Sequence, residues 1–218
     1  MEDAINNSQF NFQWQAISNM RSNEIIQREL YCRLSIDDEV VSAAEFMPFI
    51  ELLSLGDQLD KCLLETIEQQ NIMALTQNPE FSQWLAKFLA KSKHAHQMLF
   101  EMPESALINA YEDCHKLAEI VRSAGAKVGI DQCGRHMSSL DYLTKLQPHY
   151  IKLDQSYAFY EKLNQSNEMC RALINVAKGL NIEVIITGIE SQEQLRNFTS
   201  LRAEGYQGYI SAPEDIFQ

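Results

Sequence analysis

Polar or acidic residues directly follow four short apolar runs of the sequence. They are Glu101 after Leu99-Phe100, Asp131 after Gly129-Ile130, Asp154 after residues 151–153, and Thr187 with Glu190 after Ile185-Ile186. If the runs are parallel strands, their carboxyl ends share one face, where catalytic residues gather. Carboxylates that converge there would form a site for a hard cation such as Mg²⁺ or Mn²⁺. Any one of these acids could instead cap a helix or lie in a solvated loop, but the whole set favours a site.

Helical and extended patterns alternate along the chain and would position these residues. Apolar residues recur at helical spacing in residues 45–55, from 57 onward, and in 110–124, 141–146, 169–179 and 192–201. Short apolar runs typical of strands occupy residues 98–100, 127–130, 150–153, 184–186 and 205–210. This alternation predicts an α/β fold with a mostly parallel sheet. Because no Pro/Gly/Ser-rich linker divides it, we predict a flexible lead-in at residues 1–11 and one domain at 12–218.

Composition excludes several classes of protein. The net charge of −12 argues against general binding of nucleic acid or anionic membrane, although it leaves room for a focused basic pocket. The five cysteines are scattered and include no C-x-x-C pair, which indicates a reducing compartment rather than a disulfide framework or zinc site. No apolar run is long enough for a membrane helix. We therefore expect a cytoplasmic protein, or the cytoplasmic domain of a larger membrane-anchored one.

Several segments, in the same order along the chain, resemble the EAL domain family over about residues 12–213. Residues 29–33 (Glu-Leu-Tyr-Cys-Arg) resemble its Glu-Ala-Leu-x-Arg signature, and residues 101–104 (Glu-Met-Pro-Glu) resemble Glu-x-Thr-Glu. Residues 131–140 resemble the loop Asp-Asp-Phe-Gly-Thr-Gly-Tyr-Ser-Ser-Leu, and residues 151–154 resemble Ile-Lys-Ile-Asp. Residues 187–190 and 207–209 resemble Glu-Gly-Val-Glu and Gln-Gly-Tyr. The order of these matches makes the resemblance specific.

The resemblance implies a TIM-like (β/α)₈ barrel that hydrolyses cyclic-di-GMP to linear pGpG with two divalent metal ions. Such a pair of ions generates hydroxide and stabilises charge on the attacked phosphate. Glu29, Glu101 and Asp131 fall on metal-ligand positions of the family, Lys152 on the lysine beside the water, and Gln207 on the late glutamine. Arg33 matches a position that contacts the substrate, and Asp154 and Glu190 are further candidates for ligand binding.

Three departures from the family pattern predict an inactive site. Gln132 replaces the second aspartate of the Asp-Asp pair, and Thr187 replaces the first glutamate of Glu-Gly-Val-Glu. The second strand, with its metal-binding asparagine, is shortened or missing, and Asn71 is the nearest candidate. The loss of anionic ligands weakens both metal binding and transition-state stabilisation. We therefore expect no cofactor, and Mg²⁺ or Mn²⁺ only if the vestigial site still binds metal.

The loop after Asp131 also differs, since Arg135 and His136 stand where the family has Thr-Gly. Their larger, partly cationic side chains would either fill the pocket or contact a phosphate. A metal-ligand role for His136 is disfavoured because the sequence offers no partner histidine at suitable spacing.

Within the family, the chain most resembles the CsrD/MshH regulators. These regulators have degenerate EAL domains. The resemblance implies that the domain promotes turnover of small RNAs together with RNase E and that it binds the phosphotransferase protein EIIA. The first hypothesis is therefore a protein-interaction module that binds an EIIA-type protein or the RNA-decay machinery. Alternatives are a non-hydrolysing cyclic-di-GMP receptor and a weak phosphodiesterase. The family resemblance also makes a homodimer possible. Direct binding of nucleic acid is disfavoured by the net charge.

Overall fold

An antiparallel meander forms the first part of the fold. The computed structural model describes residues 4–5, 9–36, 39–70, 79–136, 140–159 and 164–215. Strands β1 (Phe10–Asn19), β2 (Ile25–Ile36) and β3 (Glu39–Ser42) pair in sequence order. Phe10 and Phe12 are buried on the core-facing side of β1, as alternation along a strand requires. The strand therefore begins before the predicted end of the lead-in at residue 11.

Helices alternate with parallel strands over the rest of the chain. The helices are α1 (Ala43–Leu52), α2 (Gly56–Gln70), α3 (Pro79–Lys91), α4 (Glu104–Asn109), α5 (Tyr111–Ser123), α6 (Asp141–Leu146), α7 (Ser156–Phe159), α8 (Asn164–Gly179) and α9 (Gln192–Phe198). The strands are β4 (Leu99–Pro103), β5 (Lys127–Cys133), β6 (Tyr150–Leu153), β7 (Glu183–Ile186), β8 (Gly205–Tyr206) and β9 (Glu214–Asp215). Strands β4 to β8 pair in parallel, which confirms the predicted α/β fold with a mostly parallel sheet.

The sheet brings β1 beside the last strands of the chain. Its order is β3-β2-β1-β8-β7-β6-β5-β4, and β9 pairs with β1 as well. It forms a curled half-barrel in the described residues. Residues 71–78, where the second parallel strand and Asn71 were sought, lie outside the described residues. The last predicted strand was too long, because the chain turns after Tyr206 so that Gln207 and Gly208 enter the site.

The two largest of three apolar clusters among the described residues hold these layers together. The larger surrounds β4 to β8 and includes Val128, Ile151 and Val184, and the smaller lies between the meander and α1 with α2. Phe46 and Ile50 of α1 are buried in that smaller cluster, whereas Phe49 is largely exposed. Within the described residues, no helix combines the length and apolarity that crossing a membrane would require.

Candidate functional site

A cavity of about 370 Å³ opens at the carboxyl ends of the parallel strands. Residues singled out from the sequence line it, among them Glu29, Arg33, Asp131, Gln132, Arg135, Lys152, Asp154, Thr187, Glu190 and Gln207. Glu101 does not line this cavity, but its carboxylate contacts the Lys152 ammonium beneath it. The parallel sheet thus brings the predicted residues together as the strand-end pattern required.

Lys152 lies at the centre of an ionic cluster. Its side chain is 1% exposed, and its Nζ lies 2.7 Å from Glu29 Oε2 and 2.6 Å from Glu101 Oε1. Burial acts to lower the pKa of this lysine, but the two carboxylates outweigh it and hold the pKa above its ordinary value. Strand β6 therefore supplies a permanently charged ammonium to glutamates of β2 and β4.

Glu29 is stabilised as a carboxylate. Its Oε2 accepts hydrogen bonds from the Gln207 amide and, at 3.3 Å, from the Tyr31 hydroxyl, besides the ion pair with Lys152. Burial acts to raise the pKa of Glu29, but Lys152 and these donors more than compensate and lower it. Glu29 is thus an anion with three protein partners.

Glu101 has the opposite electrostatic balance. Burial raises its pKa to about 7, since the attraction of Lys152 is offset by the nearby charges of Glu29 and Asp131. Burial likewise raises the pKa of Asp131. Glu101 therefore binds a proton more readily than a carboxyl group in water does.

The side chain of Tyr150, at the start of β6, also contacts this ionic cluster. Its hydroxyl donates to Glu101 Oε1 at 2.7 Å. Its ring lies against Gly129, where an added Cβ would be 2.3 Å from the tyrosine Cζ. Sequence reasoning missed Tyr150, although its place two residues before Lys152 on one strand puts both on the same face.

Replacement of Gly129 by alanine is expected to lower the free energy of unfolding by about 1–3 kcal/mol, because the buried Tyr150 ring would have to move. Urea denaturation measures the change. The matched control is Gly179→Ala at the end of α8, where an added methyl group meets nothing within 4 Å. Equal losses in both variants would contradict the proposed packing of Tyr150 on Gly129.

Gln15 and Tyr31 join the cluster to the last turn of the chain. The Gln15 amide donates to the carbonyls of Gly208 and Ser211 at 2.9 and 2.8 Å, and its Oε1 accepts from Tyr31 at 2.9 Å and from Gln207 at 3.1 Å. Sequence reasoning missed both residues. A signal existed for Tyr31, since Glu29, Tyr31 and Arg33 alternate along β2 and so share a face. Gln15 gave no local signal, because only the register of β1 against β2 places it opposite Glu29.

A buried glutamate fixes the loop that follows β5. Glu104 is 0% exposed, and its carboxylate accepts from the backbone amides of Gly134 at 3.0 Å and His136 at 2.9 Å, and from the Tyr142 hydroxyl. Gly134 has φ 83°, and a Cβ there would lie 2.7 Å from Leu173. The loop is therefore held on both sides of Arg135.

The two substituted positions make local contacts instead of presenting carboxylates. Thr187 donates its hydroxyl to the carbonyl of Leu153 at 2.6 Å. The Gln132 side-chain oxygen accepts from the Arg135 guanidinium at 2.9 Å, and Gln132 has a left-handed φ of 55°. Both positions thus contribute neutral groups where the family pattern has anions.

The three residues predicted to bind a ligand lie at the cavity in different roles. Asp154 is buried and its Oδ1 accepts from the amide of Ser156 at 3.0 Å, so it also caps α7. Glu190 is exposed at the start of α9, its amide bonded to Gln194 at 2.7 Å. Arg33 donates to the carbonyl of Cys32 at 3.0 Å and lies over the Tyr31 ring.

The donor set differs from the two-metal pattern of the family at positions 132 and 187. Glu29 and Glu101 each direct an oxygen to Lys152, and Gln132 and Thr187 offer no carboxylate. In the part of the chain that the structure describes, no three His, Cys, Asp or Glu side chains are grouped so that they could hold a metal ion. Two adjacent divalent ions normally need several carboxylate oxygens free to coordinate them.

Comparisons with known proteins agree with this architecture. A profile of the EAL domain matches residues 1–214. The RNase E specificity factor CsrD of Escherichia coli is 22% identical over 203 residues, which are 86% of this chain and 31% of CsrD. The cyclic di-GMP phosphodiesterase RocR of Pseudomonas aeruginosa is 31% identical over 126 residues, 55% of this chain and 32% of RocR. The Vibrio cholerae LapD S helix-GGDEF-EAL structure bound to c-di-GMP superposes with a TM-score of 0.89 at 27% identity, covering 96% of this chain and 55% of that one. The chain thus spans about a third of these curated relatives.

Proposed function

The chain belongs to the EAL domain family, and on that premise we propose that it is a catalytically inactive EAL domain that acts as a regulatory binding module. The observation that carries the proposal is that positions 132 and 187, which are acidic in the family pattern, hold neutral side chains bonded to the protein: Gln132 to Arg135 at 2.9 Å and Thr187 to the Leu153 carbonyl at 2.6 Å.

The charge that two-metal hydrolysis requires explains why Gln132 and Thr187 support an inactive site. Two-metal hydrolysis needs anionic oxygens that hold both ions while charge develops on the attacked phosphate. Gln132 supplies a neutral amide that is bonded to Arg135, and Thr187 is bonded to the backbone of β6. Neither group replaces the lost negative charge. We therefore propose that the fold and the cavity are retained without the hydrolytic activity.

We propose that the domain acts by binding a protein partner, as the first hypothesis from the sequence states. The similarity to the RNase E specificity factor CsrD covers 86% of this chain and supports a regulatory role. An EIIA-type phosphotransferase protein or a component of the RNA-decay machinery would then bind this domain. Titration of purified EIIA into the domain, in its phosphorylated and unphosphorylated forms, should give binding of one form, and no heat with either would contradict this partner.

A second candidate function is a cyclic-di-GMP receptor. The cavity of about 370 Å³ is open, and Arg33 lines it. The LapD structure of V. cholerae, which has the same fold at 27% identity, is bound to c-di-GMP. Arginine contacts to a phosphate supply binding energy without hydrolysis.

The test of inactivity is an assay for pGpG after incubation with cyclic-di-GMP and Mg²⁺ or Mn²⁺. We expect no pGpG above a buffer control. The double variant Gln132→Asp/Thr187→Glu restores the two carboxylates and serves as the matched comparison. Formation of pGpG by the unmodified domain, abolished by Glu29→Ala, would overturn the proposal.

A further inference from the structure

We propose that Arg135 is a phosphate-binding residue of the cavity and that Gln132 orients it toward a phosphodiester ligand. The inference rests on the second candidate function, the cyclic-di-GMP receptor, and names a residue that would bind the ligand. Both residues line the cavity, and the Arg135 Nη1 donates to the Gln132 side-chain oxygen at 2.9 Å. The sequence left open whether Arg135 fills the pocket or meets a phosphate.

The identity of residue 132 decides whether the arginine charge is available. An aspartate there, as in the family pattern, would form an ion pair with Arg135 and cancel its charge toward a ligand. A glutamine accepts the same hydrogen bond with no charge of its own. The guanidinium therefore keeps a full positive charge and further N–H donors for an external anion.

Hydrogen bonds fix the backbone on both sides of Arg135. Glu104 accepts from the amides of both neighbours, Gly134 and His136, and the Tyr157 hydroxyl donates to the Gly134 carbonyl at 2.9 Å. A guanidinium on a fixed loop loses less conformational entropy when it binds a ligand. The position of Arg135 thus favours a specific contact.

Two arginines of the cavity lining, Arg135 and Arg33, are available to bind an anion. Lys152 is already paired with Glu29 and Glu101. None of the ion pairs found among the described residues involves Arg33 or Arg135. Two guanidiniums at one cavity suit a ligand with two phosphates, since each can bind a phosphate in a bidentate manner.

The acidic residues of the lining do not cancel this attraction. Glu29 is bonded to Lys152, and Asp154 accepts from the backbone of α7. The Asp131 carboxylate accepts a hydrogen bond from the Gln132 backbone amide. Glu190 is the exposed carboxylate that remains, and it lies at the start of α9. An anion near the β5 loop therefore meets mainly Arg135.

The experiment is calorimetric titration of cyclic-di-GMP into the domain in EDTA and in Mg²⁺, with pGpG assayed in the same samples. We expect binding in EDTA that Arg135→Ala weakens by at least about tenfold, as the loss of a charge-assisted hydrogen bond does. Arg135→Lys should retain part of the affinity, and Gln132→Asp should weaken it by pairing the arginine. The control Arg171→Ala removes an exposed arginine of α8 that does not line the cavity.

The outcomes separate this inference from the proposed function. Binding that is unchanged in Arg135→Ala would overturn the role of Arg135 and leave the receptor candidate intact. Absence of binding by the unmodified domain would overturn both of these and leave the protein-interaction module. Formation of pGpG would overturn the proposed inactivity itself.

Discussion

The variant Lys152→Met is expected to lower the free energy of unfolding by about 3 kcal/mol near neutral pH. Methionine fills much of the same volume but removes the counter-ion that Glu29 and Glu101 share in a largely buried site. An uncompensated buried charge is costly, whereas the intact pair contributes little net stability. The change would be measured by urea denaturation and compared with Lys116→Met, which removes an exposed lysine that is paired with Asp113 on the surface.

The size of this loss should depend on pH in a defined direction. The pKa of Glu101 is raised from 4.5 to about 7 in the folded protein, so this carboxyl group makes the folded state lose stability as the pH rises between those values. Without the ammonium, both glutamates bind protons still more readily. The deficit of Lys152→Met should therefore be small near about pH 5 and large near about pH 8. A deficit independent of pH would contradict the ionic cluster.

A triple variant isolates the cause of the loss. Adding Glu29→Gln and Glu101→Gln to Lys152→Met removes both buried charges together with their partner. Neutral replacement of a whole buried ionic group is often close to neutral for stability. The triple variant should thus recover most of the stability at high pH, and failure to do so would indicate that the lysine acts through packing instead.

The variant Glu104→Ala is expected to lower the free energy of unfolding by about 2–3 kcal/mol. It leaves the half-buried Gly134 amide, the His136 amide and the buried Tyr142 hydroxyl without their acceptor, and an orphaned buried donor is costly. Hydrogen exchange of these two amides should accelerate more than the average of the domain. Glu112→Ala on the exposed face of α5 is the control.

The conservative variant distinguishes the loop clamp from simple packing. Glu104→Gln keeps the side-chain volume and one acceptor oxygen, but it places an NH₂ group against one of the present donors. Its stability should lie between those of the parent and Glu104→Ala. If alanine and glutamine behave alike and exchange in the loop is unchanged, the carboxylate does not hold the loop.

Much of the parallel half of the fold could be predicted, because each element there carries its own periodicity. The bounds of β6 and α6 were found as the structure has them, and the helices near residues 110–124 and 192–201 were found within a few residues. The convergence of Glu29, Asp131 and Lys152 followed from strand-end positions and from the family resemblance. Local pattern and overall topology agree in this region, so short windows of sequence were sufficient.

The meander and the hydrogen-bond partners could not be predicted in the same way. The pairing of Gln15 with Glu29 depends on the register between β1 and β2, and Gln15 reaches Gly208 across nearly the whole chain. Tyr150 acquires its role only because Gly129 on the adjacent strand makes room for its ring. Contacts between distant segments leave no periodic signal. The sequence therefore predicted which residues gather, but not the donors that satisfy their charges.

The place of β1 in the sheet has a consequence for synthesis on the ribosome. The meander of β1 to β3 involves neighbouring segments and can form as soon as it leaves the exit tunnel. Its first strand, β1, however, pairs with β8 and β9, which are made nearly two hundred residues later. Until then one edge of β1 remains unpaired, and exposed strand edges invite association with other chains. The nascent domain therefore has an extended period in which a chaperone that covers this edge would prevent aggregation.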